Sequence, residues 1–468
     1  MALVLVVTGI YMLLMLGIGF IFSKKASSVE GYFLSGRSLP PVVLVFTFAA
    51  TWIGASSTLG KSGLAYTSGI SAISPTIGSF VAFFIFSAFA GRIRSIGAKY
   101  NISSIPDLFL KRFGKATALI AAIVIAWTMI CTTGTQLIAF SKVLEYIFSP
   151  YGISYQQALV VGMVIVVLYT MLSGMYGVAY TDVVQGVILL IIIGLVVPFG
   201  SLAKIGGFSA LRGSLDASYF DFSPSIEMIG YTVTSFLYFV AGPPYWQRAF
   251  SAKSSKAATS GAFGGNILII FYTCSVIFVG ICAACIYPNV ESAQTEMVLL
   301  MVTEKFFPPI VYALTIAAII AVIMSTTDSY LVLSAQTLTT DIIYQLFGEK
   351  DTKKTILISR VSVIAVGLFA VIYALKMSNI FHAMMLSMTQ FSAGVAIPAL
   401  AALFSKKVTK EGMISSMISG LAFSIIWSKL LSNPFGISEA ISGSLVSLVV
   451  IVIVSACTQK GSKDTALT

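Results

Sequence analysis

The sequence predicts an all-α, polytopic membrane protein whose transmembrane helices, about 13 in number, form two halves of opposite orientation. Three observations support this prediction. The 468 residues are 57% hydrophobic and only 10% charged, and the mean hydropathy of +0.97 lies far outside the range of soluble domains. Apolar stretches long enough to cross the hydrocarbon core recur along the whole chain. Two of these stretches, five apart in chain order, are interrupted by glycine or proline.

The predicted spans are joined by short connections, so the sequence indicates one transmembrane domain over residues 1–468 and no soluble domain. A helix needs about 20 apolar residues to cross the bilayer, and the candidates are chosen on that basis. They cover residues 3–23, 41–67, 74–92, 116–147, 155–173, 176–200, 228–250, 263–287, 308–344, 355–376, 379–404, 412–431 and 438–458.

Basic residues predict how the chain is oriented in the membrane. The net charge of +11 comes from short basic clusters between apolar runs, a pattern that disfavours nucleic-acid binding. With the N-terminus outside, most of the 28 basic residues fall in cytosolic segments, among them Lys24, Lys25 and the cluster in residues 92–115. We therefore expect a multi-pass protein of the cell membrane with an external N-terminus and a cytoplasmic C-terminus.

Two spans carry interruptions that a lipid-facing helix does not tolerate. Residues 48–69, FAATWIGASSTLGKSGLAYTSG, place glycines, serines and Lys61 in the second span, and residues 240–248, VAGPPYWQR, place two prolines in the seventh. A break frees backbone carbonyls and amides, which are tolerated at membrane depth only beside a cavity or a solute. Close helix packing at the glycines is the structural alternative, but Pro243 and Pro244 remove hydrogen bonds that something must replace. Because five is odd, the second half must enter the membrane in the opposite sense.

Polar side chains are concentrated in the ninth span, in residues 321–341, AVIMSTTDSYLVLSAQTLTTD. The hydroxyls of Ser325 and Thr326 and the carbonyl of Val322, one turn earlier, can converge on one point beside this helix. Such oxygens suit a hard cation such as sodium, although membrane hydroxyls also bond to the carbonyl one turn before them. A carboxylate such as Asp328 costs about 2.5–3.5 kcal/mol at the bilayer centre, so it should face the bundle interior and have a partner.

A second acidic residue, Asp182, opens the predicted sixth span near the cytosolic side. One interpretation is a helix N-cap, whose carboxylate accepts backbone amide hydrogen bonds. The other is a cation relay on the inner exit path. The residue pattern alone leaves both interpretations open.

Several motifs resemble those of the sodium/solute symporter family, which includes sodium-coupled proline, sugar, pantothenate, sialate and choline carriers. The motifs follow the expected order and the resemblance covers essentially the whole chain. They are GYFLSGRSLPP (31–41), AGRIRSIGAKYNISSIPDLFLKRFG (90–114), YTMLSGMYGVAYTDVVQG (169–186), WQRAFSAKSSKAA (246–258) and IMSTTDSYLVLSAQTLTTDIIY (323–344).

The resemblance implies a leucine-transporter-like fold, which is a five-plus-five inverted repeat with one extra helix before it and two after. Residues 3–23 would form the extra N-terminal helix, 41–200 the first repeat, 228–404 the second repeat and 412–458 the two C-terminal helices. It also implies that sodium is the coupling ion. The sodium ligands would be the backbone carbonyls of the first break and the oxygens of the ninth span: Ala50, Ile53, Val322, Ser325 and Thr326.

The resemblance assigns a role to one of the two acidic residues and a place to a solute pocket. Asp182 matches the family's acidic residue on the inward sodium path, and we assign Asp328 to the same path. The pocket would lie between the second, fourth, seventh and eleventh spans. Trp52 would suit a quaternary ammonium by cation–π attraction, but the solute class stays open among amino acids, quaternary amines, carboxylates and similar molecules. The matching pocket positions are Trp52, Ser56, Ser57, Tyr245, Trp246 and Gln390.

We therefore expect a sodium-coupled symporter that imports a small polar organic solute by alternating access, with the lipid bilayer as its surroundings. An enzyme is disfavoured, because the sequence contains no evident nucleophile–base–acid set and its single histidine, His382, has no evident partner. A proton-coupled carrier of the same fold, with Asp182 or Asp328 titrating, is one alternative, and a solute sensor is another. The neutral hydroxyls of Ser325 and Thr326 favour sodium, since a proton needs a titratable group.

Overall fold

The computed structural model describes residues 2–23, 28–348 and 351–459, and these residues are helical almost throughout, with no β-strand among them. Lys24 and Lys25, which the sequence places on the cytosolic side, lie outside the described residues. The main helices are α1 (Ala2–Ser23), α2 (Pro41–Trp52), α3 (Lys61–Ser68), α4 (Ser74–Lys99), α5 (Lys115–Phe148), α6 (Tyr155–Ile191), α7 (Ile226–Ala241), α8 (Pro243–Ser251), α9 (Ser255–Ile286), α10 (Pro309–Gln336), α11 (Thr352–Lys376), α12 (Ile380–Phe391), α13 (Lys410–Lys429) and α14 (Glu439–Thr458).

Shorter helices and π-helical turns complete the described chain. The short α-helices are Val29–Leu34, Ile105–Phe113, Val197–Ile205, Phe208–Ser214, Val298–Phe306, Tyr344–Phe347 and Ile397–Phe404. The π-helical turns are Ser56–Gly60, Ile192–Val196, Thr337–Ile343 and Ser392–Ala396. Because π-helical turns often occur at functional sites, the one that follows α2 draws attention to the first predicted break.

Within the described ranges, nine helices are long and apolar enough to cross a membrane, which confirms a multi-pass membrane protein. The interrupted helices α2 and α7 are too short to be among them, since each stops at a break. The helix count of about 13 expected from span length therefore stays a prediction.

Helix α10 is the central helix of the bundle. Every side chain from Thr315 to Gln336 is buried, and the helix packs against α1, α5 and α6. The outer helices α1, α11 and α14 instead expose leucine, isoleucine, valine and phenylalanine side chains, which lipid tails accept as readily as a protein core does. The hydroxyl-rich stretch of the sequence therefore lies in the middle of the protein and not at its lipid-facing surface.

The predicted fifth and sixth spans, which α6 covers together, are two helices that meet at Gly174, whose backbone is not helical (φ 55°, ψ −174°). This positive φ is a conformation that glycine adopts without steric cost. Asp182 lies about two turns beyond the kink, inside the helix. Its interpretation as a helix N-cap is therefore wrong, because the second half of α6 begins directly after Gly174.

Close contact between α4 and α7 depends on Gly78. A Cβ atom at this position would overlap the carbonyl oxygen of Thr232 on α7. We expect Gly78→Ala to lower the free energy of unfolding by about 1–3 kcal/mol, because the two helices must move apart, and to lower the melting temperature of the purified protein accordingly. Gly17→Ala on α1, where nothing lies within 4 Å of the added Cβ, is the control. Equal melting temperatures for the two variants would contradict the packing described here.

Candidate functional site

The first predicted break occurs at Ile53 and Gly54, where α2 ends. Ile53 has an extended conformation (ψ 95°). The N–H of Gly54, which would continue the helix by bonding to the carbonyl of Ala50, instead donates to Ser57 Oγ at 2.9 Å. The carbonyl oxygen of Ala50 is thereby released from the helical hydrogen-bond pattern. The chain resumes as a π-helical turn, Ser56–Gly60, followed by α3.

The released carbonyls face the hydroxyl-rich part of α10. Thr326 Oγ1 lies 2.9 Å from the carbonyl oxygen of Ile53 and 3.2 Å from that of Ala50. Ser325 Oγ lies 3.5 Å from the Ala50 oxygen and 3.0 Å from the carbonyl oxygen of Val322. The structure thus brings together all five residues that the sequence proposed for a sodium site. We call these three carbonyl oxygens and two hydroxyl oxygens the oxygen cluster.

The oxygen cluster has the chemistry of a site for a hard, singly charged cation. Its ligands are neutral oxygens, and Ser325 and Thr326 are 0% and 1% exposed. Among the described residues, no group of three or more His, Cys, Asp or Glu side chains is placed to hold a metal ion. Oxygen-only, carboxylate-free coordination suits an alkali ion better than a zinc or other transition-metal ion.

Gln136 on α5 stabilises the break from the opposite side. Its Oε1 accepts a hydrogen bond from the N–H of Ala55 at 2.9 Å, which satisfies a donor that the interrupted helix leaves free. Gly54 permits this approach, because a Cβ there would lie 3.0 Å from Thr326 Oγ1 and 3.1 Å from Gln136 Nε2. Sequence reasoning missed Gln136, although a glutamine within an apolar span was an available signal.

The second predicted break is also present, at Gly242 between α7 and α8. Gly242 has a non-helical ψ of 130°, and α8 begins with Pro243 at its first position, where the missing N–H of proline costs no hydrogen bond. The carbonyl of Pro244, one residue later, accepts a hydrogen bond from the guanidinium of Arg248 at 3.2 Å. The break therefore directs a buried arginine toward α2 and α10.

Arg248 joins Asp182 to the neighbourhood of the oxygen cluster. Its Nη2 donates to Ser329 Oγ at 2.5 Å and lies 3.7 Å from Asp182 Oδ2, while its Nε donates to the carbonyl of Thr47 at 3.0 Å. Thr47 Oγ1 in turn donates to Asp182 Oδ2 at 2.5 Å. Ser329 Oγ donates to the carbonyl of Ser325 at 2.9 Å, which connects this network to a member of the oxygen cluster. Arg248 and Asp182 are both 0% exposed, so the pair is fully desolvated.

Asp328 is buried in the bundle interior, as its position in the ninth span predicted. Its Oδ1 accepts a hydrogen bond from Thr170 on α6 at 2.5 Å. Its Oδ2 has no hydrogen-bond partner among the described residues. The partner of this carboxylate is therefore a hydroxyl, and Asp328 does not belong to the ion pair that Arg248 makes with Asp182.

A small cavity of about 40 Å³ lies beside the first break. Hydroxyl, aromatic and methionine side chains surround it, together with Lys61. Two larger cavities lie further out. One, of about 680 Å³, is lined by residues from α3, the 218–231 segment and α12. The other, of about 360 Å³, is lined by residues from the 29–37 segment, the 101–111 segment and the end of α10. We call them the outer and the inner cavity, after the orientation that the sequence predicts. Gln247 joins two residues of the inner-cavity wall, since its Nε2 donates to Gln336 Oε1 at 2.8 Å and to the carbonyl of Phe33.

The structure brings together only some of the predicted solute-pocket residues. Trp52, Ser56 and Ser57 line the small cavity. Tyr245 is fully buried behind it, with its ring centroid 5.5 Å from that of Phe239, which does line the cavity. The remaining two residues do not line it: Trp246 packs against Phe250, and Gln390 is half-buried elsewhere on α12.

An all-α membrane protein with two broken helices, and with a buried oxygen cluster where the first of them meets α10, has the features of an ion-coupled membrane transporter. A family model described as the sodium:solute symporter family matches residues 32–420. The chain belongs to the sodium:solute symporter family. It is accordingly a sodium-coupled transporter and not an enzyme, as the sequence predicted.

Named relatives agree with this assignment, and solved structures share the fold. The chain is 27% identical to the osmoregulated proline transporter OpuE of Bacillus subtilis (strain 168), over 98% of this chain and 96% of the relative. It is 25% identical to a sodium/proline symporter of Staphylococcus aureus, over 97% of this chain and 93% of the relative. Its fold matches that of a Na+-coupled sialic acid symporter in a substrate-bound outward-open state, with a TM-score of 0.79 and 19% identity over 97% of both chains. The nucleobase-cation-symport-1 transporter Mhp1 in a closed conformation gives a TM-score of 0.63 with 14% identity, over 93% of this chain and 96% of that one.

Proposed function

We propose that this protein imports a small polar organic solute together with sodium, and that the ion binds at the oxygen cluster. The observation that carries this proposal is the contact of Thr326 Oγ1 with the carbonyls of both Ala50 and Ile53, at 3.2 and 2.9 Å. A cation at this point would be shared by the broken end of α2 and by α10. Ion binding would thus add a shared ligand to two helices that are otherwise joined there by hydroxyl hydrogen bonds and by the bridging guanidinium of Arg248.

Alternating access would then move the ion and the solute from one side to the other. The outer and inner cavities lie on either side of the small central one, and this arrangement supports a carrier that opens to each side in turn. We assign the inward sodium path to Asp182 and Asp328. Asp182 and Arg248 lie near Thr47, which is one turn before Ala50 on α2. This is the Pro41 end of α2, and the inner cavity lies toward the same end.

The proposal includes the finer architecture that the resemblance implies. We propose about 13 transmembrane helices over residues 1–468. Residues 41–200 and 228–404 would form the inverted repeats, with 3–23 and 412–458 as the extra helices. The N-terminus would lie outside the cell membrane and the C-terminus in the cytoplasm. The two helix breaks, at Ile53–Gly54 and at Gly242, support this arrangement because they occupy corresponding positions in the two proposed repeats.

Uptake into proteoliposomes tests the coupling directly. Radiolabelled L-proline, the solute named for two relatives, serves as the first probe. We expect uptake to need external sodium and to increase with an inside-negative potential, since one charge moving down 100 mV supplies about 2.3 kcal/mol. Matched vesicles with a proton gradient in sodium-free buffer test whether protons can drive uptake instead. Equal uptake with and without sodium, or uptake driven equally well by protons, would reject sodium coupling.

A further inference from the structure

Lys61, the first residue of α3, is a buried cation that the proposed sodium mechanism does not use. Its side chain is 3% exposed and lines the small central cavity. A lysine is almost never buried to this degree unless it is paired with an anion. Within the described ranges, however, no Asp or Glu oxygen lies within the 4.0 Å of an ion pair with Lys61.

Neutral groups hold the Lys61 ammonium in place without neutralising it. Its Nζ donates to Thr76 Oγ1 at 2.6 Å and lies 3.5 Å from the carbonyl oxygen of Ala72. It also lies 5.2 Å from the ring centroid of Phe381, within the range of a cation–π contact. An ammonium has three N–H donors, so these two oxygens leave one donor for a further acceptor.

The rest of the cavity wall supplies no anion. Its other polar members are hydroxyls, and its apolar members are aromatic and methionine side chains and Pro75, with no acidic residue among those that line it. Glu296, on the wall of the outer cavity, already pairs with Lys142 at 2.6 Å and accepts from the N–H of Ile380 at 2.7 Å. The positive charge of Lys61 is therefore left for a molecule that enters the cavity.

We infer that the transported solute carries a carboxylate and that Lys61 binds this carboxylate. This inference rests on the proposed function, because it names the class of solute for the same central cavity. A carboxylate would give the buried ammonium a charged partner, which the cavity wall does not supply. Charge-assisted hydrogen bonds of this kind are stronger than neutral ones. A quaternary amine would be repelled by Lys61, and a sugar would leave its charge without a counter-ion.

Lys61 is placed where an entering solute would first reach the cavity. Its neighbour Gly60 lines the outer cavity, and Phe381 lines both the outer cavity and the central one. The ring of Phe381 therefore separates the two spaces directly beside the ammonium. Beyond Lys61, Met384, Met385 and Met388 present an adaptable apolar wall for the remainder of the solute.

The carboxylate could belong to a simple monocarboxylate or to an amino acid zwitterion such as proline. The test measures the thermal stability of the purified full-length protein, in sodium, against matched probes. Propionate and L-proline form the carboxylate arm. Propionamide, glucose and choline form the arm without a carboxylate. We expect at least one carboxylate to raise the melting temperature and the second arm to leave it unchanged. The carboxylate that raises the melting temperature shows whether the solute is a simple monocarboxylate or an amino acid.

Variants of Lys61 then test the residue itself. We expect Lys61→Met to weaken binding of the active carboxylate at least tenfold, while Lys61→Arg, which keeps the charge, retains most of it. Lys204→Met, at an exposed lysine far along the chain from the cavity, is the matched control and should bind as wild type does. Sodium-induced stabilisation without any added solute shows that each variant is folded.

Several results would overturn the inference. The first is that propionamide, glucose or choline stabilises the protein while neither carboxylate does. The second is that no probe stabilises it. The third is that Lys61→Met binds the carboxylate as tightly as wild type does. If Lys61→Met does not fold, Thr76→Val replaces it as the test, because it removes the hydroxyl that positions Nζ. We expect Thr76→Val to weaken carboxylate binding several-fold, and unchanged binding in this variant would also contradict the inference. Failure of the proposed function is distinguishable, since sodium itself would then neither stabilise the protein nor support uptake of any solute.

Discussion

Thr326→Val is expected to raise the sodium concentration for half-maximal uptake roughly 10- to 150-fold. The substitution keeps the shape of the side chain but removes a hydroxyl oxygen that faces two main-chain carbonyls, those of Ala50 and Ile53. Hydrogen bonds and ligand contacts to a charged group contribute about 1.5–3 kcal/mol, and each 1.4 kcal/mol changes affinity about tenfold. Sodium-dependent uptake and direct ²²Na⁺ binding to the purified protein both measure this change.

The chain offers a closely matched control in the next residue. Thr327 is also fully buried on α10, but its Oγ1 donates only to the carbonyl of Ile323 in the same helix, at 2.5 Å. Thr327→Val should therefore leave the sodium affinity within about twofold of wild type, since a hydroxyl bonded back to its own helix contributes little. Ser325→Ala should weaken sodium binding like Thr326→Val. Equal sodium affinity in Thr326→Val and Thr327→Val would contradict the assignment of the Thr326 hydroxyl to the ion site.

Arg248→Met is expected to destabilise the protein by about 3–5 kcal/mol, the cost of leaving one partner of a buried ion pair uncompensated. Without the guanidinium, Asp182 keeps only the hydroxyl of Thr47, and Ser329 loses a donor at 2.5 Å. The melting temperature of the purified protein measures the loss. We expect the Arg248→Met/Asp182→Asn double variant to be more stable than Arg248→Met alone, because it removes the isolated negative charge.

An exposed arginine provides the control for this second prediction. Arg212→Met lies at the surface and should change the free energy of unfolding by less than about 0.5 kcal/mol. If Arg248→Met melts at the same temperature as Arg212→Met, then the buried pair does not hold α6, α8 and α10 together as its contacts indicate. If the double variant is no more stable than the single one, Asp182 is not the partner that matters.

The sequence predicted the parts of the site that depend on a break in a regular pattern. Glycine and proline inside apolar spans marked both helix interruptions, and hydroxyls inside an apolar helix marked the face of α10 that meets α2. These predictions succeed because a membrane excludes water, so that any irregular backbone or polar side chain must have a reason within the protein. The glycine pattern alone does not locate the first break, because Gly60 and Gly63 both lie in helical turns. The family resemblance located it at Ala50 and Ile53, next to the observed break at Ile53–Gly54.

Other features depend on distances between segments that the sequence does not contain. Nothing in the sequence near Asp182 indicates that Arg248, far away in the chain, reaches it after the turn at Gly242, so the N-cap interpretation was reasonable from the sequence alone. Gln136 and Lys61 were visible as polar residues in apolar surroundings, but only the structure shows what each of them faces. Solute selectivity depends on such convergence and is for that reason the least predictable part of a transporter.

A structure determined in sodium, compared with one determined in N-methylglucamine at the same ionic strength, tests the central claim most directly. We predict density for a cation in the sodium structure alone, surrounded by the carbonyl oxygens of Ala50, Ile53 and Val322 and the hydroxyl oxygens of Ser325 and Thr326. Identical density in both, with Thr326 Oγ1 still bonded to the carbonyl of Ile53, or a cation bound elsewhere, would contradict the account.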